Sequence, residues 1–594
     1  MHSERLRALR SLMEAHSLAA YVVPSSDPHQ SEYPPDRWKL REWISGFGGS
    51  AGTVVITAGG AGLWTDFRYY LEAESALRGS GIELFRLGTA NVPDYPAWLA
   101  AELEPGDKVG FDADCFSIAA ARSLEEALTP RDIELVPGGD LIGTLWTDRP
   151  ARPGRPVFLH EERFAGQSRG EKLSALREKM GELGADYHLI STLDDIAWLL
   201  NIRGSDVSYN PVALAHLVID AQGGVLHTDG DRLADDVRVE IEAVGVRIRP
   251  YDEAATTVGS IPDESRIVVS PQQASVAMRA RLRPGVRVIE RPNLSTEMKA
   301  QKNATEIGHL RDVMVRDGVA MVRFLQWLLA AVGHEPVTEL SAEDRLRQFR
   351  SEGERFVSES FRTISAYRGH GAIVHYASSG ESDVELERAG LYLVDSGGQY
   401  HDGTTDITRT VALGPPSDQA RRDFTLVLKA HIGLVTLSFP TGTSGHMIDA
   451  ICREHLWRER MNYGHGTGHG VGFFLNVHEG PHRISQQPNE VALHPGMVVS
   501  VEPGLYRADQ YGIRTENLVT VVEDERNEFG SFLRFETLTL CPIDRSLIDV
   551  SILTTAERSW IDEYHRRVRD RLCGGLDQPA ADWLEVACAP LEDG

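Results

Sequence analysis

Residues 463–472, which read YGHGTGHGVG, contain two histidines four positions apart. Glycine fills every second position from 464 to 470, and each glycine costs a helix about 1 kcal/mol relative to alanine, so this is not the helical His pair of a zinc protease. In an extended backbone, His465 and His469 point the same way but lie about 13 Å apart, too far to share one metal ion. One could be a metal ligand while the other contacts something along the cleft. A glycine-rich hairpin loop with incidental histidines is the alternative.

Two aspartates flank a glycine-containing turn in residues 391–411, which read LYLVDSGGQYHDGTTDITRTV. If the turn centres between Tyr400 and His401, Asp395 and Asp406 are directly opposed across an antiparallel pair, with Cβ atoms about 5 Å apart. Like charges so placed are destabilising unless a cation lies between them, so the spacing favours a divalent metal ion. The alternative is that one aspartate is a turn residue or faces solvent.

Two glutamates have a similar arrangement. Glu502 ends the apolar run VVSVE, Glu516 interrupts GIRTENLVTVV, and a loop centred near Asp509 would bring them roughly opposite each other. Acidic groups in apolar strands are costly unless they are paired or bind metal, although exposure at a strand edge is a rival explanation. Four carboxylates and one imidazole suit Mn²⁺, or Co²⁺ and Zn²⁺ in vitro, and two of the carboxylates could bridge two cations about 3.5 Å apart.

The elements that must position these residues begin with a repeat in the N-terminal half. Three segments recur in the same order, at 5–23 and 172–190, at 43–50 and 198–205, and at 64–66 and 227–229. Each copy reads as helix, strand, Trp-containing turn and Thr-Asp strand end. We therefore predict two tandem copies of one α/β domain, joined by the Pro- and Arg-rich linker at 147–156.

The second half has a different pattern of predicted helices and strands. A charged helix pattern over 295–317 is followed by predicted helices at 318–332 and 342–352, by β-rich runs with glycine turns from 358 to 522, and by a helical tail at 554–589. This is an α+β pattern. We predict three domains, at 1–152, 153–297 and 298–594, of which the first two are α/β and the third is α+β with a C-terminal helical tail.

Composition limits the kinds of partner. A net charge of −26 argues against nucleic acid, because no excess of cationic side chains is available for phosphates. The five cysteines include no CxxC pair, which favours a reducing compartment. The longest apolar run, 324–332, contains Gln326 and is far too short to span a bilayer, and the N-terminus lacks the apolar core of a signal peptide. We expect a cytoplasmic protein with no membrane partner.

The motif order resembles that of the metallopeptidases with the pita-bread fold: Asp-x10-Asp, then HGTGHGVG, NVHEGP, EPG and a glutamate in IRTEN. More narrowly, the chain resembles the long, three-domain cytosolic Xaa-Pro aminopeptidases (aminopeptidase P). Supporting stretches are WLLNIRGSDVSYNP at 198–211, GAIVHY at 371–376 and WIDEYH at 560–565. The resemblance implies two creatinase-like N-terminal domains, a pita-bread catalytic domain at 298–594, and a homodimer.

The resemblance also implies a site. It gives two Mn²⁺ per subunit, with Zn²⁺ or Co²⁺ as possible substitutes, and the five ligands Asp395, Asp406, His469, Glu502 and Glu516, of which Asp406 and Glu516 bridge. It assigns substrate and oxyanion contacts to His375, His465 and His478, and proton transfer to Glu502. Arg68, in TDFRYY, matches an N-terminal-domain position that reaches substrate, although Phe67 stands where glycine is usual. Residues 366–370, AYRGH, depart from the usual sequence before GAIVHY.

The implied reaction removes the N-terminal residue of peptides that have proline second, by attack of a hydroxide bridging two metal ions. A prolidase, which takes only Xaa-Pro dipeptides, is the nearest alternative, and the duplicated N-terminal half and the tail favour the aminopeptidase. A non-catalytic pita-bread module that binds peptides or proteins would be marked by lost metal ligands, and all five are present here.

Overall fold

The computed structural model describes residues 2–591, which form two compact units. Unit 1 contains the residues up to Glu161 and Gln167–Thr296, and unit 2 contains Glu162–Gly166 and the residues from Glu297 onward. Of the helices in the described range, none has the length and apolarity that crossing a bilayer requires.

Unit 1 begins with a six-stranded sheet covered by helices. Its strands are β1 (Ala20–Val23), β2 (Thr53–Thr57), β3 (Ala61–Thr65), β4 (Glu83–Arg86), β5 (Lys108–Asp112) and β6 (Glu134–Gly138). Its helices are α1 (His2–Ala15), α2 (Leu40–Ser45), α3 (Tyr70–Ala76), α4 (Tyr95–Glu102), α5 (Ile118–Leu128) and α6 (Leu141–Leu145).

A second set of elements follows along the chain. Its strands are β7 (Phe158–Leu159), β8 (Tyr187–Ile190), β9 (Ile202–Arg203), β10 (His216–Asp220), β11 (Gly224–His227), β12 (Val246–Arg249), β13 (Arg266–Val269) and β14 (Arg287–Glu290). Its helices are α7 (Glu162–Ala165), which belongs to unit 2, and α8 (Arg169–Glu182), α9 (Leu193–Leu199), α10 (Asp235–Ala243), α11 (Ala254–Gly259) and α12 (Val276–Ala280).

The two sheets of unit 1 have the same topology. The first has the strand order β4-β3-β2-β1-β5-β6 and the second β12-β11-β10-β8-β13-β14. In each, the two central antiparallel pairings are flanked by parallel pairings on both sides. The predicted duplication of an α/β domain is therefore confirmed by strand order and direction.

Unit 2 carries the remaining elements. They are α13 (Leu294–Ala300), α14 (Ala304–Ala331), α15 (Glu339–Ser351), β15 (Phe356–Glu359), β16 (Ile364–Tyr367), β17 (Leu391–Ser396), β18 (Gly398–Tyr400), β19 (Gly403–Thr404), β20 (Ile407–Ala412), α16 (Asp418–Val435), β21 (Ser438–Pro440), α17 (Gly445–Arg458), β22 (Gly468–Gly470), β23 (Glu479–Ile484), β24 (Val498–Val501), β25 (Gly504–Arg507), β26 (Tyr511–Arg514), β27 (Asn517–Asn527), β28 (Gly530–Thr537), α18 (Thr555–Leu572) and α19 (Gln578–Ala587). Helix α13 begins in unit 1.

Helix α14 is continuous, so the predicted separation of helices at Gly318 is wrong. The helix has 28 residues and begins at a capping box formed by Asn303 and Glu306. A Cβ at position 318 would lie 2.4 Å from the carbonyl oxygen of Leu540. Glycine there allows the helix to pack closely against the following chain and does not mark a boundary.

The strands of unit 2 form several antiparallel sheets. The largest has the order β21-β28-β27-β24-β22-β23, a second has β16-β17-β20, and β25 pairs with β26. Apolar side chains of α14, α16 and α18 pack beneath these sheets, among them Leu325, Phe424 and Ile561, all of which are fully buried. These sheets are thus packed against helices through their apolar side chains.

Candidate metal centre

Asp395 and Asp406 lie on the hairpin formed by β17 and β20. The ladder places Asp395 opposite Thr408, so the predicted direct opposition of the two aspartates is wrong. The cause is the turn, because Tyr400 pairs with Gly403 and the hairpin therefore centres one residue later than expected. Asp406 lies two residues before Thr408, which makes it a diagonal neighbour of Asp395 on the same face of the pair.

Glu502 and Glu516 are brought together by two neighbouring ladders. Val501 pairs with Asn517 on one side, and Gly504 pairs with Arg514 on the other. The same register continued through the gap sets Glu502 across from Glu516, which is the arrangement that a loop centred near Asp509 predicts. Both side chains are therefore carried by backbone that is hydrogen-bonded on each side.

His469 lies in β22 and is oriented by its backbone neighbours. Its Nδ1 lies 3.0 Å from the carbonyl oxygen of Gly470, which can only accept, so Nδ1 carries the proton. Nε2 lies 3.5 Å from Asp406 Oδ2 and 3.4 Å from Glu502 Oε1. A backbone carbonyl that fixes the tautomer in this way makes Nε2 the unprotonated nitrogen, which is the one that can bind metal. The extended backbone predicted for 463–472 is limited to β22.

One ligand atom from each of Asp406, His469 and Glu516 lies within 4.8 Å of the other two. Both carboxylates are almost fully buried. Asp395 is also buried, and within residues 2–591 its Oδ1 has no hydrogen-bond partner, although Oδ2 accepts from Arg514 at 2.6 Å. A buried carboxylate oxygen without a donor, next to three converging ligands, is what a cation site requires.

The buried carboxylates of the cluster raise one another's pKa values. Burial, and then the negative charges of Asp395 and Glu502, raise the pKa of Asp406 well above its usual range. The pKa of Glu516 is raised well above its usual range by burial and by the other three carboxylates. Burial raises the pKa of Glu502 to about 7, although the charge of Arg514 opposes this. Because four carboxylates repel one another in a buried space, the donor set fits divalent cations.

Arg514, which the sequence reasoning missed, links the ligands to one another. Its guanidinium donates to Asp395 Oδ2 at 2.6 Å, to the hydroxyl of Thr408 at 3.1 Å and to the hydroxyl of Tyr506 at 2.7 Å. Thr408 in turn donates to Glu516 Oε2 at 2.6 Å. The available signal was the IRTEN motif, in which Arg514 precedes Glu516 by two residues, the spacing that puts two side chains on one face of an extended backbone.

The predicted substrate histidines lie near these ligands in two different ways. The ring of His478 makes an edge contact with His469, with centroids 4.4 Å apart. His465 instead has Nδ1 2.8 Å from the carbonyl oxygen of Gly466 and Nε2 2.8 Å from the hydroxyl of Tyr506. Through Tyr506, His465 is connected to Arg514.

His375 is half-buried in the segment that follows β16. The carbonyl oxygen of Val374, the preceding residue, lies 3.5 Å from the Arg514 Nη2 that also donates to Asp395. Arg68 belongs to unit 1, where Asp66 holds its guanidinium through two hydrogen bonds of 2.9 and 2.8 Å. Within unit 2, therefore, the predicted ligands are brought together, His478 contacts His469, and His465 is connected through Tyr506 to Arg514. For His375, the contact shown is that of the preceding residue, Val374, with Arg514.

Family models match most of the chain. Two, each described as a creatinase/prolidase N-terminal domain, match residues 5–145 and 148–306. Metallopeptidase family M24 matches 308–523, and its C-terminal region matches 531–591.

Relatives match over nearly the full length. A probable Xaa-Pro aminopeptidase P of Laccaria bicolor is 41% identical, over 99% of this chain and 94% of the relative. Aminopeptidase P2 of Arabidopsis thaliana is 37% identical, over 99% of this chain and 88% of the relative.

Two solved structures differ in how much they cover. The X-prolyl aminopeptidase of Caenorhabditis elegans, described as a cytosolic enzyme with a di-nuclear active site, covers all of both chains with a TM-score of 0.95 and 34% identity. An Xaa-Pro dipeptidase of Bacillus anthracis covers 64% of this chain and 99% of its own, with a TM-score of 0.50 and 25% identity.

Proposed function

The chain belongs to metallopeptidase family M24, and we propose that it releases the N-terminal residue of peptides that have proline at the second position. It is a metal-dependent aminopeptidase, with two creatinase-type domains before a pita-bread domain. The observation that carries the proposal is the convergence of Asp406, His469 and Glu516 within 4.8 Å, beside two further carboxylates. The full-length relatives described as Xaa-Pro aminopeptidases support the choice of substrate.

The ligand set would be Asp395, Asp406, His469, Glu502 and Glu516. When bound, two divalent cations supply an acidified water and polarise a carbonyl oxygen, which is the chemistry of peptide hydrolysis. The di-nuclear site of the C. elegans enzyme supports two ions, and the excess of carboxylate oxygen over imidazole favours Mn²⁺, with Zn²⁺ or Co²⁺ as substitutes. The bare Oδ1 of Asp395 and the mutual repulsion of the carboxylates are the features that the cations would relieve.

The residues of this chain have separate tasks. Glu502, held by the 3.3 Å hydrogen bond from Ser500, would take a proton on Oε1 from the attacking water and return it to the leaving amine. His478, against His469, would donate to the oxyanion of the tetrahedral intermediate, a contribution on the order of 3 kcal/mol. His465, fixed by Tyr506, and His375 would line the space for the proline ring.

A prolidase is the second candidate. The prolidase-type structure from B. anthracis matches only 64% of this chain, whereas the aminopeptidase relatives match 99% or more. An Xaa-Pro dipeptide and an Xaa-Pro-Xaa tripeptide compared at equal concentration discriminate the two: the aminopeptidase cleaves the tripeptide, and a prolidase cleaves only the dipeptide.

The proposed activity predicts release of free amino acid from the tripeptide with Mn²⁺ present, and loss of that release after chelation. Asp406→Ala removes one of the proposed metal ligands and should abolish the activity, whereas Asp312→Ala, on the surface of α14, should not. Activity that survives both chelation and Asp406→Ala would contradict the proposal.

Two further properties belong to the same proposal. The five cysteines are all unpaired among the described residues and the C. elegans relative is described as cytosolic, so we propose a cytoplasmic location. We also propose a homodimer, which light scattering of the purified protein would test against a monomer of 65.6 kDa. Arg68 is proposed as a substrate contact, and proline-containing peptides are proposed as partners, with no nucleic acid or membrane.

A further inference from the structure

The segment that presents His375 is held by one buried carboxylate. This segment, residues 368–376, is called the His375 loop below. Glu339, the first residue of α15, has a fully buried side chain. Its Oε1 accepts from the backbone N–H of Tyr367 at 2.7 Å and from His370 Nδ1 at 2.9 Å. Its Oε2 accepts from the hydroxyl of Tyr376 at 2.8 Å and from His370 Nδ1 at 3.0 Å.

His370 and Tyr376 also contact each other directly. Their rings stack with centroids 4.5 Å apart and planes 24° apart. Because both side chains end on the same carboxylate, the loop is closed on itself around His375, which lies between them in the chain. Buried hydrogen bonds to a charged group are the strong ones, so this closure restricts the loop more than its turns alone would.

The loop is also packed against the hairpin of β25 and β26. A Cβ at Gly371 would lie 2.8 Å from the backbone nitrogen of Gly512, and a Cβ at Gly512 would lie 1.7 Å from the carbonyl oxygen of Gly371. The hairpin carries Tyr506 and Arg514, and Arg514 reaches both the carbonyl oxygen of Val374 and the carboxylate of Asp395. Movement of the loop would therefore move His375 relative to the ligand cluster.

We propose that Glu339 and His370 are positioning residues for His375, holding its imidazole where substrate binds. The inference depends on the proposed function, which assigns His375 a substrate contact. His370 lies in AYRGH, directly before the GAIVHY stretch that carries His375. Without the imidazole, the buried carboxylate loses the donor that touches both of its oxygens, and the loop loses the ring that stacks on Tyr376.

The test uses His370→Ala, His370→Asn and His375→Ala, alone and combined, in the Mn²⁺-loaded enzyme with an Xaa-Pro-Xaa tripeptide. Since a misplacement of about 1 Å can cost about 100-fold, His370→Ala should lower kcat/KM by about 10- to 100-fold. His370→Asn keeps an N–H donor near the position of Nδ1 and should recover most of the loss. In the His375→Ala background, His370→Ala should change kcat/KM by no more than about twofold.

Two measurements distinguish this positioning role from a general loss of folded structure. Hydrogen exchange of the Ile373 and Tyr376 amides, which donate within the loop at 3.0 Å each, should become faster in His370→Ala, while Mn²⁺ affinity by calorimetry stays unchanged. The matched control is His334→Ala, an exposed histidine of the same unit, which should alter neither.

An equal loss of kcat/KM from His370→Ala with and without His375 would overturn the positioning role, as would unchanged kcat/KM. If the wild-type enzyme cleaves no Xaa-Pro peptide, the proposed function fails. The anchoring itself is overturned separately if loop exchange in His370→Ala matches that of the wild type.

Discussion

Replacing Arg453 by methionine should release the histidine-bearing segment from the helix behind it. Arg453 lies on α17 and is fully buried. Its guanidinium donates to Asp449 Oδ2 at 2.7 Å, to the carbonyl oxygen of Tyr463 at 2.7 Å and to that of His465 at 2.8 Å. It also lies over the ring of Tyr463, 3.9 Å from the centroid.

The same contacts continue to a predicted metal ligand. The hydroxyl of Thr467 donates to Asp449 Oδ1 at 2.6 Å, and the carbonyl oxygen of Thr467 accepts the N–H of Glu502 at 2.8 Å. Asp449 and Arg453 together therefore fix the backbone on which His465 sits and against which Glu502 is placed.

The magnitude follows from the burial of the pair. Removing one partner of a buried ion pair costs about 3–5 kcal/mol, because the remaining charge is left without compensation. Every 1.4 kcal/mol is a factor of ten, so local opening of residues 463–468 should become about 100- to 4,000-fold more populated in Arg453→Met. Arg453→Lys keeps the charge but loses the planar fork that donates to several acceptors at once, and should give a smaller effect.

Hydrogen exchange of the Thr467 and Glu502 amides measures this opening. Arg458→Met on the same helix is the matched control, since that arginine is exposed and its ion pair with Glu454 should contribute less than about 1 kcal/mol. Exchange at the two amides within about threefold of wild type in Arg453→Met, or a rise equal to that in Arg458→Met, would refute the reasoning.

Three further outcomes are expected. Gly318→Ala should lower the unfolding temperature, because its Cβ would meet the carbonyl oxygen of Leu540 at 2.4 Å. Gly308→Ala in the same helix places its Cβ more than 4 Å from any atom other than the neighbouring backbone of its own helix, so it should be neutral or stabilising by up to about 1 kcal/mol. Thermal unfolding of the two variants compares them. In metal-free protein, the raised pKa of Glu502 makes the contribution of this one group to the free energy of unfolding fall as pH rises from 4.5 to about 7. The wild type should therefore lose stability relative to Glu502→Gln over that range, and a stability difference that does not change with pH would contradict this. Mn²⁺ binding near pH 6 should release protons, which calorimetry in buffers of different ionisation enthalpy detects; no buffer dependence would contradict the raised pKa values.

The sequence predicted the fold where the signal was a repeated segment order or an alternation of apolar and polar residues along a strand. Three recurring segments were enough to predict the duplicated α/β domain, because two parts of a chain that share the same segments in the same order usually share the same strand topology. Helix α14 was misread at Gly318, since the reason for the glycine is a carbonyl contributed by Leu540, more than 200 residues away in the chain. A contact between residues so far apart in the chain does not change the local pattern of apolar residues from which helices are predicted.

The candidate site was accessible from sequence only in part. Both hairpins were recognised from their acidic residues, but the register at Asp395 depended on where the turn centres, and the glycines near it allow more than one position. The supporting residues were missed because each acts across the fold. Arg514, Glu339 and Arg453 look like ordinary charged residues until the structure shows them buried against the backbone or side chains of the site.

The most direct test of the account is a titration of metal-free protein with Mn²⁺, monitored by release of free amino acid from an Xaa-Pro-Xaa tripeptide. The account predicts no release without metal and a plateau at two equivalents of Mn²⁺ per chain, as the proposed di-nuclear site implies. Full activity in metal-free protein, or no activity at any Mn²⁺ concentration, would contradict it.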